Sequence, residues 1–124
     1  MPREVPSLAE KLKAAGYATG MVGKWHIGFK EGLRPHERGF DYHYGAVLGE
    51  IDYFTRDAHG VLDWQRDNEP VKEPGYVTQL LGGDAGKRIA AHDPKTPLFM
   101  YLAFTAPHSP YQAPPEYVER YKSI

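Results

Sequence analysis

The stretch Ser7-Leu8-Ala9-Glu10-Lys11-Leu12-Lys13-Ala14-Ala15-Gly16-Tyr17-Ala18-Thr19-Gly20-Met21-Val22-Gly23 decides the fold class, and Lys24-Trp25-His26 follows it directly. Ser7 and Glu10 have the spacing of a capping box, in which the serine caps a helix and the glutamate reaches back. Leu8, Leu12 and Ala15 share one helical face, with Lys11 and Lys13 off it, and Gly16 supplies a left-handed stop. A helix is expected over 8–15. The next seven residues, 17–23, are small or apolar and read as a short strand that a sheet covers on both faces. Successive strand side chains alternate, so Lys24 and His26 are expected to project to one side of the strand end and Trp25 to the other. Two proton-exchanging cationic groups at a strand end suit an anionic substrate better than a core.

Toward the other end, Pro97-Leu98-Phe99-Met100-Tyr101-Leu102-Ala103-Phe104 is the most apolar run in the chain. A strand is expected over 97–104, buried on both faces as in a parallel sheet. Before it, Leu80, Leu81, Ala85, Ile89 and Ala90 could line a helix over 77–91, although Gly82, Gly83 and Gly86 weaken it by roughly 1 kcal/mol each. Asp93-Pro94 ends that helix. After the strand comes Ala106-Pro107-His108-Ser109-Pro110, and then a short helix near 115–121.

Between these blocks lies an excursion over 25–74 of about 50 residues without sustained period, unusual inside a compact domain and often functional. Short strands are expected near Tyr42–Tyr44 and Tyr53–Thr55. The aromatics Phe40, Tyr42, Tyr44, Tyr53 and Phe54 are read as anchors of this loop on the sheet, with Trp64 as the candidate for substrate stacking. His59, with Asp57 and Arg56, is read as a polar loop in preference to a substrate contact. His36, His43, His59 and His92 match no zinc spacing.

Helix, strand, excursion, helix, strand is the order of an α/β fold with parallel strands. In such sheets functional groups gather beyond the carboxyl ends of the strands. Lys24 and His26 lie at one such end and His108 just past the other, so the three are expected to meet in an anion site.

Bulk properties set the limits. The chain has 124 residues and a formal charge of -1, so nothing in its balance points to nucleic acid or an acidic membrane surface. No apolar run approaches the roughly 18 residues of a membrane helix, and no signal peptide is visible. The absence of cysteine excludes disulfides and thiolate chemistry within this chain. The 13 glycines and 11 prolines, concentrated in loops, leave few regular elements and suggest part of something larger.

At these residues the chain resembles the sulfatase family, in particular arylsulfatases of the N-acetylgalactosamine-4-sulfatase type. The resemblance rests on Gly16 through Gly28, then Arg38-Gly39-Phe40-Asp41, Asp52-Tyr53-Phe54, Gly75-Tyr76, Pro97 through Leu102, Ala106 through Pro110 and Gln112-Ala113-Pro114. It implies a partial alkaline-phosphatase-like α/β/α sandwich with a mostly parallel sheet, and hydrolysis of sulfate monoesters of small molecules or carbohydrates. Members use a formylglycine, made from the first residue of a Cys/Ser-x-Pro-x-Arg motif, beside a calcium ion. By position Lys24 is similar to the lysine bridging formylglycine and sulfate. His26 is similar to the histidine that acts as base on the formylglycine hydrate, and His108 to the one that binds sulfate and assists the leaving oxygen. Lys24, His108 and Trp64 are the expected substrate contacts.

The chain departs from the family pattern in holding no cysteine and no serine in that motif, and the expected calcium ligands lie outside it. It is therefore read as one incomplete catalytic domain, an internal piece inactive alone, whose partner is the remainder of that domain. The family implies a periplasmic, secreted or lysosomal setting. The alternatives are a phosphate or phosphonate monoester hydrolase of the same superfamily and a noncatalytic anion-binding remnant.

Overall fold

The computed structural model describes residues 2–123. The first helix, α1, runs Leu8–Ala14. Its capping box closes as the sequence indicates: Ser7 Oγ accepts from Glu10 N–H at 3.0 Å, and Glu10 Oε2 accepts from Ser7 N–H at 2.5 Å. Arg38, only 2% exposed, ties the preceding segment down by donating to the carbonyls of Arg3 and Val5.

Strand β1 spans Ala18–Gly23, β2 Tyr42–Gly45, β3 Asp57–Ala58, β4 Val61–Leu62, β5 Gln65–Arg66 and β6 Glu69–Pro70. Helix α2 follows at Val77–Ala90, then β7 at Leu98–Ala103 and a short α3 at Pro115–Val118. The main sheet has the order β6-β5-β2-β1-β7, and β3 and β4 form a separate hairpin. Both neighbours of β1 run parallel to it, whereas β5 and β6 are added antiparallel. The sheet is therefore mixed, with its three longer strands parallel.

Adjacent residues of β1 show why there are three layers. Met21 packs with Ala9 of α1, Trp25, Phe40 and Val47, while Val22 packs with Tyr42, Tyr44 and the α2 residues Val77, Leu81 and Ala85. Side chains of neighbouring strand residues point to opposite faces, so α1 and α2 cover opposite sides of the sheet. Val22, Val77 and Leu81 are each 0% exposed, and burying such a side chain is worth about 1.5–3 kcal/mol. That burial offsets the propensity cost of the three glycines in α2.

Three expectations need correction. Tyr53–Thr55 is a turn, because Asp52 Oδ1 accepts the N–H groups of Phe54 and Thr55 and curls the chain locally. The excursion holds β2 where a strand near Tyr42–Tyr44 is expected, but it also holds the short strands β3 to β6, which its sequence does not announce. Strand β7 is not buried on both faces: it is an edge strand of the described residues, and Tyr101 and Leu102 are exposed.

Candidate functional site

The site is built at the carboxyl ends of β1 and β7. Gly23 has φ +125°, and a Cβ there would lie 1.9 Å from the Ala103 carbonyl oxygen, so only glycine lets the two strand ends close. Beyond it, the N–H of Lys24 donates to Ala103 O at 2.8 Å, that of Trp25 to Ala46 O at 3.0 Å and that of His26 to Val47 O at 3.1 Å. Trp25 turns inward. Its ring meets Phe40 edge-on at 5.9 Å, and its indole N–H donates to the carbonyls of Gly28 and Leu33. His26 leaves the strand with φ +55° and is exposed.

The loop that receives these bonds is itself fixed by Asp63, which is 6% exposed. Its two carboxylate oxygens accept the N–H of Val47 at 3.0 Å and of Leu48 at 2.7 Å. Gly49 lies directly against the His26 ring: a Cβ on it would stand 2.5 Å from Nε2. The position of His26 thus depends on a chain of contacts running from Asp63 through the 46–49 backbone.

His108 is held from the other side. Its N–H donates to Thr105 O at 3.0 Å, its carbonyl accepts the Tyr53 hydroxyl at 2.8 Å, and the peptide bonds before Pro107 and Pro110 are both cis. Gln112 connects this loop to the excursion by accepting from Tyr53 N–H at 2.8 Å and donating to Asp52 Oδ2 at 2.6 Å. The Gln112 amide is the main reason that the Asp52 carboxyl is held down at about 2, so the clamp keeps its charge at neutral pH. His108 Nδ1 lies 2.8 Å from Ser109 O. A carbonyl can only accept, which assigns the proton to Nδ1 and leaves Nε2 free to take or deliver one.

His26 and His108 line one cavity of about 490 Å³, within the size range of small-molecule sites. Glu50, Phe29 and His59 complete its wall. Lys24 is half-buried at the same strand end but is not among the residues lining this cavity. The structure therefore brings two of the three expected residues to one cavity and keeps the third at its base strand.

Trp64 cannot stack on a substrate. It is 1% exposed, packed edge-on against Tyr44 with centroids 5.0 Å apart, and its indole N–H donates to Glu73 at 3.0 Å. Of the five aromatics read as anchors, Phe40, Tyr42, Tyr44 and Tyr53 are buried and Phe54 is exposed. His59, read as part of a polar loop, sits at the tip of the β3–β4 hairpin and reaches the cavity, whereas Arg56 is buried and donates to the carbonyls of Phe54, Glu73 and Gly75. Glu50 and Asp63 carried no sequence signal, because their roles arise only once the hairpin folds back. Among the described residues no group of three or more His, Asp or Glu is arranged to hold a metal ion.

The Sulfatase family model matches residues 1–124. The chain belongs to the sulfatase family. It is 42% identical over 133 residues to arylsulfatase J of Mus musculus, covering 100% of this chain and 22% of that protein. It is 39% identical to an arylsulfatase of Klebsiella aerogenes, covering 95% of this chain and 27% of that one. The chain thus spans about a quarter of the length of these curated relatives. Among solved structures, Ps i-CgsB in complex with k-i-k-neocarrahexaose superimposes with a TM-score of 0.89 at 30% identity, covering 99% of this chain and 31% of that one. PsFucS1 sulfatase from Pseudoalteromonas sp. gives a TM-score of 0.68 at 26% identity, covering 92% and 29%. The alkaline-phosphatase-like fold of the sulfatases is present here in part.

Proposed function

We propose that this sulfatase chain is a segment of a catalytic domain that hydrolyses sulfate monoesters, with His26 and His108 facing the sulfate in one cavity and Lys24 acting from the adjoining strand end. The observation that carries the reading is the meeting of His26 and His108 in one cavity from opposite ends of the chain. His26 stands at the β1 end as the proton acceptor. His108, with Nδ1–H engaged by Ser109 O, presents Nε2 to the leaving oxygen. In its imidazolium form, protonated at both nitrogens, it delivers the Nε2 proton to the departing alkoxide and is left as the neutral Nδ1–H tautomer. Lys24 contributes fixed positive charge from the strand end. Fixed donors and cations stabilise the negative charge on the equatorial oxygens of a transferring sulfuryl group.

In a sulfatase, formylglycine and calcium supply the nucleophile and a strong positive charge when present. This chain contains no cysteine and no serine in the required motif, and its described residues offer no cation cluster, so its own residues do not form that part of the site. The chain alone is expected to be inactive, and the nucleophile to come from elsewhere in the same domain. The similarity to arylsulfatases and to a structure in complex with neocarrahexaose supports an aryl or carbohydrate sulfate as substrate.

The test is hydrolysis of 4-nitrophenyl sulfate and 4-nitrophenyl phosphate by the longer protein containing this segment. Replacing Lys24, His26 or His108 by Ala should lower kcat/KM on the sulfate roughly 10²- to 10⁴-fold with the circular dichroism spectrum unchanged. Wild-type preference for the phosphate, or a folded His108→Ala variant that keeps most of its rate, would overturn the reading.

A further inference from the structure

The cavity shared by His26 and His108 contains an unexpected group for a site that takes an anion. Glu50 is the only carboxylate among its described lining residues. Its side chain is 48% exposed, and Oε2 lies 3.9 Å from His108 Nδ1. It is not on a loose loop. Asp63 pins Val47 and Leu48 before it, Gly49 is wedged against the His26 ring, and Ile51 after it is 2% exposed. The backbone that carries Glu50 is therefore fixed, and its carboxylate forms part of the wall beside the imidazole assigned to the leaving oxygen. Phe29, 59% exposed, and His59 also line the cavity, and neither adds a second carboxylate.

We propose that Glu50 is a specificity-determining residue: it rejects sulfate esters whose leaving group bears a second anion close to the scissile sulfate and admits those bearing hydroxyl, amide or ammonium groups. The proposal rests on the sulfatase reading above. Physically, the sulfate itself is held by His26 and His108, which line this cavity, with Lys24 at the same strand end, and together these outweigh one carboxylate. A second sulfate or carboxylate on the leaving group has no such compensation and meets Glu50 across a few ångströms of partly solvated space. Hydroxyl and ammonium groups can instead donate to it. Two like charges in that setting repel enough to change relative rates roughly 3- to 30-fold, an effect that salt screens.

The experiment uses the longer protein, wild type and Glu50→Gln, with 4-nitrophenyl sulfate and 3-carboxy-4-nitrophenyl sulfate as probes. The ratio of kcat/KM between the two probes, compared between the two proteins, cancels their intrinsic reactivities. The expected result is a 3- to 30-fold gain for the carboxylated probe relative to the uncharged one in Glu50→Gln, shrinking in 0.5 M salt. An unchanged ratio would overturn the proposal while leaving the sulfatase reading intact. An equal loss on both probes with a shifted pH–rate profile would also overturn it, because Glu50 would then be acting through His108. If wild type hydrolyses neither probe, the sulfatase reading fails and the role of Glu50 fails with it.

Discussion

Replacing His43 by Leu should remove a pH dependence of stability that the fold builds into its sheet. His43 lies on β2, paired with Met21 of β1, and is 0% exposed. Neither ring nitrogen reaches a hydrogen-bond partner. Burial, the largest cause, pushes its pKa down from 6.5 to about 4, with the nearby Gly23 backbone pulling the other way. The unfolded chain therefore binds a proton that the folded chain refuses between these two values. The resulting stability is fully present above about pH 6.5 and is lost as pH falls toward 4. At about 1.4 kcal/mol per pH unit, the loss attributable to this side chain is about 3 kcal/mol. Urea unfolding at pH 7, 6, 5 and 4 would measure it as the difference between wild type and His43→Leu. The variant should be nearly neutral at pH 7, since removing both unpaired polar atoms together costs little. It should gain about 3 kcal/mol over wild type by pH 4. Parallel stability curves for the two proteins would refute the argument.

Other consequences can be checked in the same protein. Asp63→Ala strips the acceptor from two backbone N–H groups and should destabilise by about 2–4 kcal/mol, read as a lower urea midpoint; an unmoved midpoint would show that the 46–49 loop is held by something else. Gly23→Ala drives a Cβ into the Ala103 carbonyl at a positive φ and should cost about 3 kcal/mol or more, seen as a large drop in Tm, whereas a drop of a degree or less would contradict the close approach of β1 and β7. Tyr53→Phe removes the hydroxyl that holds the His108 carbonyl and should lower kcat on 4-nitrophenyl sulfate several-fold with a stability loss of about 1 kcal/mol; an unchanged kcat would separate Tyr53 from the placement of His108.

What could be read in the sequence was what depends on local rules. The Ser7–Glu10 box and the apolar runs at 17–23 and 97–104 each specify an element from a few adjacent residues, and those elements carry His26 and His108 to their strand ends. The strands β3 to β6 were invisible because each has two residues, too few for any period, and they are held by long-range bonds such as Asp63 to the 47–48 backbone and Asp67 to His43 N–H. Trp64 was misread for the same reason: a large aromatic in a polar loop looks available until β5 folds it against Tyr44. The apolar run of β7 correctly marks a strand, but burial also depends on neighbours, and the described residues supply one on only one side. Glu50 and His59 reach the cavity only through the hairpin's tertiary placement, which no spacing announces.

The central claim is that His26 and His108 face the same bound anion, and a sulfate titration followed by imidazole ¹⁵N resonances of the longer protein tests it most directly. The account expects the signals of His26 and His108 to move together along one binding curve, while those of His36, paired with Asp67, and His92, bound to Thr96 O, stay in place. Movement of only one of the two, or two curves with different midpoints, would contradict it.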